Sequence, residues 1–193
     1  MTHEQADHAG GIEDLLLDRF PLGRLVYARL SRRLRAEAEA DRIEPIRIRA
    51  GGEIHSGRLR LEALWPPGSL LSAPLGGADP NTQAVVLLAR WRHFKMLLTA
   101  DAEADEVPLD PGPVDVLKLA HHGSEDAGLG ALLDRVSPRL AVISVGADNP
   151  YGHPAPATLA DLARRRVPTL RTDRDGTIVI EAGRNPFVID AGG

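Results

Sequence analysis

The second half of the chain is built from short apolar runs that stop abruptly, and each stop carries a residue able to hold a metal ion. "QAVVLLARWRHFKMLLTAD" reads as two apolar strands joined near Arg92 and His93, the second ending at Asp101. "VDVLKLA" ends in the adjacent pair His121 and His122, and "RLAVISVG" leads into "NPYGHPAPATL" with His153 in a loop between prolines. Apolar runs of this length fit strands buried on both faces. A layered α/β protein gathers its chemistry where such strands end, along one edge of a sheet. If the strand simply continued, His121 and His122 would point to opposite faces, so one face cannot use both.

The remaining segments alternate α and β patterns. "IEDLLLDRF" after Gly10 and Gly11 has an acidic start and helical spacing, with Asp7 and His8 on a glycine-bordered turn before it. "GRLVYA" is a short strand, and Ser31 is placed to cap "RRLRAEAEAD". From 45 to 64, "PIRIRAGGEIHSGRLRLEALWP" switches to period two around a Gly-Gly turn, which signals a hairpin. "PPGSLLSAPLGGADP" (66–80) is the extended loop. Ser124 is placed to cap a helix between the strands "VDVLKLA" and "RLAVISVG", and "APATLADLARRR" is a last helix before three short β pieces. The pattern is that of one α/β domain spanning 1–193, with hairpins in its sheets.

Composition excludes several classes. There is no cysteine, so disulfides, thiolate metal sites and cysteine nucleophiles are all ruled out. The net charge of −4 gives no broad attraction to nucleic acid or anionic lipid. No run approaches the ~18 apolar residues of a membrane span, and no signal-peptide pattern opens the chain, so a soluble chain is expected. The segment "MTHEQADHAGG" places His3, Asp7 and His8 at the very start, which suits a fragment of something longer. Imidazole and carboxylate groups of this kind suit Zn²⁺ or Mn²⁺. Each cluster also has a plainer reading. A carboxylate at a strand end can cap a turn, a buried histidine can bond a carbonyl, and acids and histidines at a terminus are often only solvated.

Taken together, these segments resemble a known family. "THEQADHAGG" is similar to the HxHxDHxGG signature of the metallo-β-lactamase fold, and "LLTAD" to the LLTGD strand carrying its bridging aspartate. "LKLAHHGS" and "NPYGHP" resemble the C-terminal domain of ComEC-type competence proteins, bacterial DNA-uptake channels, and "NTQAVVLLARW" fits the asparagine-led strand before LLTGD. The implied fold is a metallo-β-lactamase-like αββα sandwich, partial and lacking the first strands. By the same resemblance His3 belongs to a first metal site. Asp7 and His8 hold a second, Asp101 bridges the two, and His122 completes the second. His121 then faces the substrate or supports a ligand from behind, and His153 serves as an acid or donor near the leaving group. Lys118 and Ser124 are weaker candidates for contacts to a phosphate.

The implied function is metal-dependent hydrolysis of phosphodiesters, with single-stranded DNA as substrate during DNA uptake. The implied partner is the membrane channel domain of a parent protein, and the implied location is the extracytoplasmic face of the cytoplasmic membrane. The departures matter as much. Gln5 stands where the family pattern has histidine, so the first site rests on His3, Asp101 and the Gln5 carbonyl and is expected to be weak. One tight divalent ion, Mn²⁺ or Zn²⁺, and a second weak one are therefore expected. Ala100 replaces the glycine of LLTGD. Two alternatives stay open: a degenerate domain that binds DNA or docks on a channel, and a metallo-hydrolase of small esters, lactones or thioesters.

Overall fold

The computed structural model describes residues 1–17, 22–72, 79–183 and 187–191. Its centre is a seven-stranded sheet ordered β3-β4-β5-β6-β7-β8-β9. The strands are β3 (Glu53–Ser56), β4 (Leu59–Trp65), β5 (Val86–Trp91), β6 (Phe94–Leu98), β7 (Val116–Lys118), β8 (Leu140–Ile143) and β9 (Thr169–Arg171). From β3 to β6 the neighbours are antiparallel; from β6 to β9 they are parallel. The expected pair in "QAVVLLARWRHFKMLLTAD" is thus β5 and β6, turning at Arg92 and His93, with Arg92 at φ 55°. The parallel half decides where chemistry can sit. β6, β7 and β8 run the same way, so the segments after Leu98, Lys118 and Ile143 emerge along one edge.

Alternation along these strands sends two sets of side chains to opposite faces. Leu97, Leu117, Ala141 and Ile143 join Leu129, Leu132, Leu133, Val136 and Leu162 of helices α4 (Leu129–Val136) and α5 (Pro156–Arg164) in one core. Phe94, Val116, Leu140 and Val142 face the other way, against Ile178 and Ile180 of β10 (Ile178–Glu181), which pairs antiparallel with β11 (Val188–Ala191). On that same face, further along, Ala63 and Val85 pack with Ala28 and Ile48 beside the parallel pair β1 (Arg24–Tyr27) and β2 (Glu44–Arg47). Helix α2 (Arg32–Ala40) covers Leu25 and Ile43 from outside through Ala38. The layers therefore run helix, sheet, sheet, helix, the αββα order that was expected.

Local expectations met the structure unevenly. Ser31 does cap α2, its side chain accepting from Leu34 N. The hairpin was placed at the wrong glycines: Gly57, at φ 58°, makes the β3–β4 turn, while Gly51 and Gly52 connect β2 to β3. The reason is tertiary, because β2 pairs with β1 instead of turning back on itself. Residues 66–80 are not all loop: Gly68–Ser72 form α3, and 73–78 lie outside the described residues. The helix after His122 starts at Leu129 with Gly128 at its N-cap, five residues beyond Ser124. Among the described residues no helix is long and apolar enough to cross a membrane.

Candidate metal centre

Helix α1 (Ala6–Leu17) begins earlier than its apolar pattern suggested, so Asp7 and His8 sit in its first turn instead of on a loop. Backbone bonds from His8 N and Ala9 N to Gln5 O close that turn. The preceding residues are tied into the β layers: the Met1 amine donates to Val26 O, and Val85 N donates to Thr2 O. Thr2 Oγ1 lies 3.1 Å from His8 Nδ1. That contact engages one edge of the ring and leaves Nε2 facing inward, 3.1 Å from Asp101 Oδ1.

Asp101 follows β6 on a sharp turn in which Ala100 takes φ 49°. This is the left-handed region where glycine is ordinarily preferred, so the Ala100 substitution falls on a position that uses it. The turn exposes Ala100 O to His121 N, at 3.1 Å, and to Lys118 Nζ, at 3.2 Å. The paired histidines need a turn as well. His121 and His122 both adopt positive φ, 45° and 53°, so the backbone coils and both rings stay on the edge where β7 ends. Gly123, at φ 82°, follows them; a Cβ there would lie 2.7 Å from Pro154 Cβ.

Four side chains from three separate segments converge: one ligand atom each from Asp7, His8, Asp101 and His122 lies within 4.8 Å of all the others. His122 Nδ1 is 2.8 Å from Ser144 O. A carbonyl only accepts, so Nδ1 carries a proton, and Nε2 is the ring nitrogen turned to the cluster. That Nε2 faces Asp7 Oδ2 at 3.0 Å and Asp101 Oδ2 at 3.7 Å. A ring nitrogen and carboxylate oxygens gathered at such distances are held together by a positive charge, either a metal ion or a second proton on the ring.

Asp101 makes the same point from the buried side. It is fully buried, yet neither carboxylate oxygen has a hydrogen-bond partner, and His8 Nε2 is likewise orphaned. The 3.1 Å between His8 and Asp101 is close but not aligned as donor to acceptor. Burial pushes the Asp101 carboxyl up, but the neighbouring His8, Lys118 and His122 outweigh it and hold it below the ordinary carboxylate range. Orphaned buried donors of nitrogen and oxygen, with a ligand histidine braced on a backbone carbonyl, fit a divalent cation such as Zn²⁺ or Mn²⁺.

The other expected site residues occupy the rim or the interior. His3 is buried beside His8, ring centroids 4.3 Å apart, but it stands outside the four-residue group. Its Nε2 is 3.0 Å from Gln5 Oε1, and burial holds its pKa below the ordinary histidine range. Gln5 thus occupies His3, and the described residues offer no second complete set of ligands. Lys118 is also held low by burial, with Asp101 and Asp7 pulling the other way. His121 and His153 sit side by side with ring centroids 5.7 Å apart, and Tyr151 stacks on His153. Asn149 secures that loop, its side chain bonding both His153 N and His153 O.

Two neighbours escaped sequence reasoning. Glu103 Oε1 lies 2.8 Å from His121 Nδ1 and accepts from Ser124 Oγ at 2.5 Å. Asp126 receives the backbone amides of Ala104, Asp105 and Gly128. A second carboxylate two residues past Asp101 was the available signal for Glu103; nothing local marks Asp126. In the basic segment 45–64, Arg60 and His55 both pair with Glu53, and Arg47 donates to Ala28 O and Leu71 O.

No family model matches the chain. In sequence it is 29% identical over 189 residues to ComE operon protein 3 of Bacillus subtilis, covering 92% of this chain and 24% of that protein. It is 29% identical over 191 residues to Recombination protein 2 of Haemophilus influenzae, covering 92% of this chain and 21% of that one. Over 69 residues, 36% of this chain and 10% of the relative, it is 41% identical to Competence protein ComA of Neisseria gonorrhoeae. The chain thus spans about a quarter or less of these relatives. Among solved structures, the metallo-β-lactamase fold protein YhfI from Bacillus subtilis superposes with a TM-score of 0.56 at 8% identity, over 88% of this chain and 72% of that one. CmlA, a diiron β-hydroxylase from Streptomyces venezuelae, gives 0.59 at 16% identity over 86% and 40%. The layer order and these structural likenesses agree that the chain has the metallo-β-lactamase fold, and in sequence it is similar to part of the competence proteins named above.

Proposed function

We propose that this domain is a metal-dependent hydrolase of phosphodiester bonds, acting on single-stranded DNA in the setting of DNA uptake, with the rest of a competence-type membrane protein as its partner. The observation that carries the reading is the convergence of Asp7, His8, Asp101 and His122 around buried, unpartnered oxygen and nitrogen atoms. A divalent cation held by these four supplies Lewis-acid polarisation and an acidified water.

The chain's own residues divide the remaining work. Asp101 and Asp7 neutralise the cation, and Lys118 beside them keeps the site from becoming too negative for a phosphate. His121 accepts the proton that the attacking water loses as its oxygen forms the new bond to phosphorus. His153, beside His121, donates a proton to the ester oxygen as its bond to phosphorus breaks. Water and diester go in; a phosphate monoester and an alcohol come out, with the proton returned. Gln5 bound to His3 favours one strongly held ion over two.

The test is calorimetric titration of the metal-stripped chain with Mn²⁺ and then Zn²⁺, followed by incubation of each loaded form with single-stranded oligonucleotide. One tight ion per chain and metal-dependent cleavage are expected. Metal binding with turnover of small esters but not phosphodiesters would replace this substrate class. Salt-sensitive DNA binding without turnover would make the domain a binding module.

A further inference from the structure

We infer that Glu103 is a positioning residue for His121: it fixes the ring in the Nδ1–H tautomer, so that Nε2 carries the free lone pair. This deepens the hydrolase reading above and rests on it for its catalytic consequence, though not for its geometry.

Glu103 Oε1 is 2.8 Å from His121 Nδ1 and also receives Ser124 Oγ at 2.5 Å. An ionised carboxylate only accepts, so the proton between Glu103 and the ring resides on Nδ1. Ser124 donates to the same oxygen and leaves its own carbonyl to the Thr158 hydroxyl, which couples the arrangement to α5. His121 is held at the other end by its backbone, through N to Ala100 O. Two anchors, one on the main chain and one on the ring, leave the side chain little freedom to turn.

Glu103 is itself held. Its carbonyl accepts from Val107 N at 2.9 Å, and the next two amides, Ala104 N and Asp105 N, are bound by the Asp126 carboxylate at 2.8 and 3.2 Å. Gly128 lies so close to this segment that an added Cβ would meet Asp105 N at 2.3 Å. A carboxylate on a loop clamped in this way orients a ring in the manner of the partners that brace metal-binding histidines. Ser124, expected from sequence as a phosphate contact, has its hydroxyl committed to this carboxylate.

The test reads the tautomer directly in the metal-free chain, by two-bond ¹H–¹⁵N correlation of the imidazole nitrogens at alkaline pH, where the pattern distinguishes the two neutral tautomers. His121 signals are assigned by their loss in His121→Gln. Wild-type His121 in the Nδ1–H form, moving towards Nε2–H in Glu103→Ala, is expected. With metal and oligonucleotide, Glu103→Ala is then expected to lower kcat by about 10–100-fold with little change in KM, and Ser124→Ala to lower it less. Wild-type His121 in the Nε2–H form overturns the inference without any variant, as does a Glu103→Ala ring that keeps Nδ1–H. A wild-type chain that shows the Nδ1–H form but cleaves no phosphodiester sinks the hydrolase reading and leaves the positioning of His121 standing.

Discussion

Replacing Gly128 by alanine tests how tightly the fold holds the site. The new Cβ would lie 2.3 Å from Asp105 N, 2.4 Å from the carbonyl carbon of Ala104 and 2.7 Å from its oxygen. All three are backbone atoms, so no side chain can swing aside. Restoring ordinary contact requires the 104–105 segment to retreat by about 1 Å. Overpacking of this kind costs about 1–3 kcal/mol. The retreat also weakens the bonds from Ala104 N and Asp105 N to Asp126, each worth about 1 kcal/mol. The sum, roughly 2–4 kcal/mol, lowers Tm by about 5–15 °C for a chain of this size. Denaturant unfolding of the metal-free chain measures the first effect. Glu103 moves with the segment, so the Nδ1–H signal of His121 should weaken, while titration with Mn²⁺ still counts the same ions, since Asp7, His8, Asp101 and His122 lie elsewhere. A Gly128→Ala chain within about 0.5 kcal/mol of wild type, with an unchanged His121 tautomer, would refute the claim that this contact clamps the loop.

Three further outcomes are expected. Asp101→Ala should remove the tight ion from the calorimetric titration and abolish metal-dependent hydrolysis; unchanged activity would mean the site is misassigned. Gln5→His should strengthen binding of a second ion and raise the rate, because it frees His3 Nε2 and adds an imidazole; the count of bound ions checks it. Acid should destabilise the metal-free chain through His3. Burial lowers the His3 pKa in the folded state, with the Gln5 bond only partly offsetting it, whereas the unfolded chain protonates near the ordinary value of about 6.5. Between those values the unfolded state holds more protons, so stability is complete above about pH 6.5 and is lost as pH falls towards the folded value. Thermal melts from neutral to mildly acidic pH should show that loss, and His3→Gln should flatten it; His153, also held low chiefly by burial, contributes in the same direction.

Much of the fold was legible because its signals are local. Apolar runs ending at Leu98, Lys118 and Ile143 are strands wherever they are placed, and Ser31 before "RRLRAEAEAD" is a cap wherever that helix lies. The gathering of Asp101, His121, His122 and His153 on one edge followed from reading those strands as neighbours in one sheet. The hairpin at Gly57 was missed because Gly51-Gly52 carries the stronger local turn signal. The choice between them depends on β2 finding β1, a pairing across more than a dozen residues that period-two alternation does not encode.

The sequence by itself therefore marked candidate metal ligands and showed that a sheet edge would carry Asp101 and His122, since ligand chemistry and strand periodicity are properties of short segments. The tertiary structure decided the rest. It set the positive φ of Ala100, His121 and His122, the burial that leaves Asp101 without a hydrogen-bond partner, and the engagement of His3 by Gln5. It also brought Glu103 to His121 across a separation of 18 residues and Asp7 to His122 across 115. Distances of that kind arise only when layers pack, because the free energy that brings such residues together comes from burying apolar side chains elsewhere in the domain.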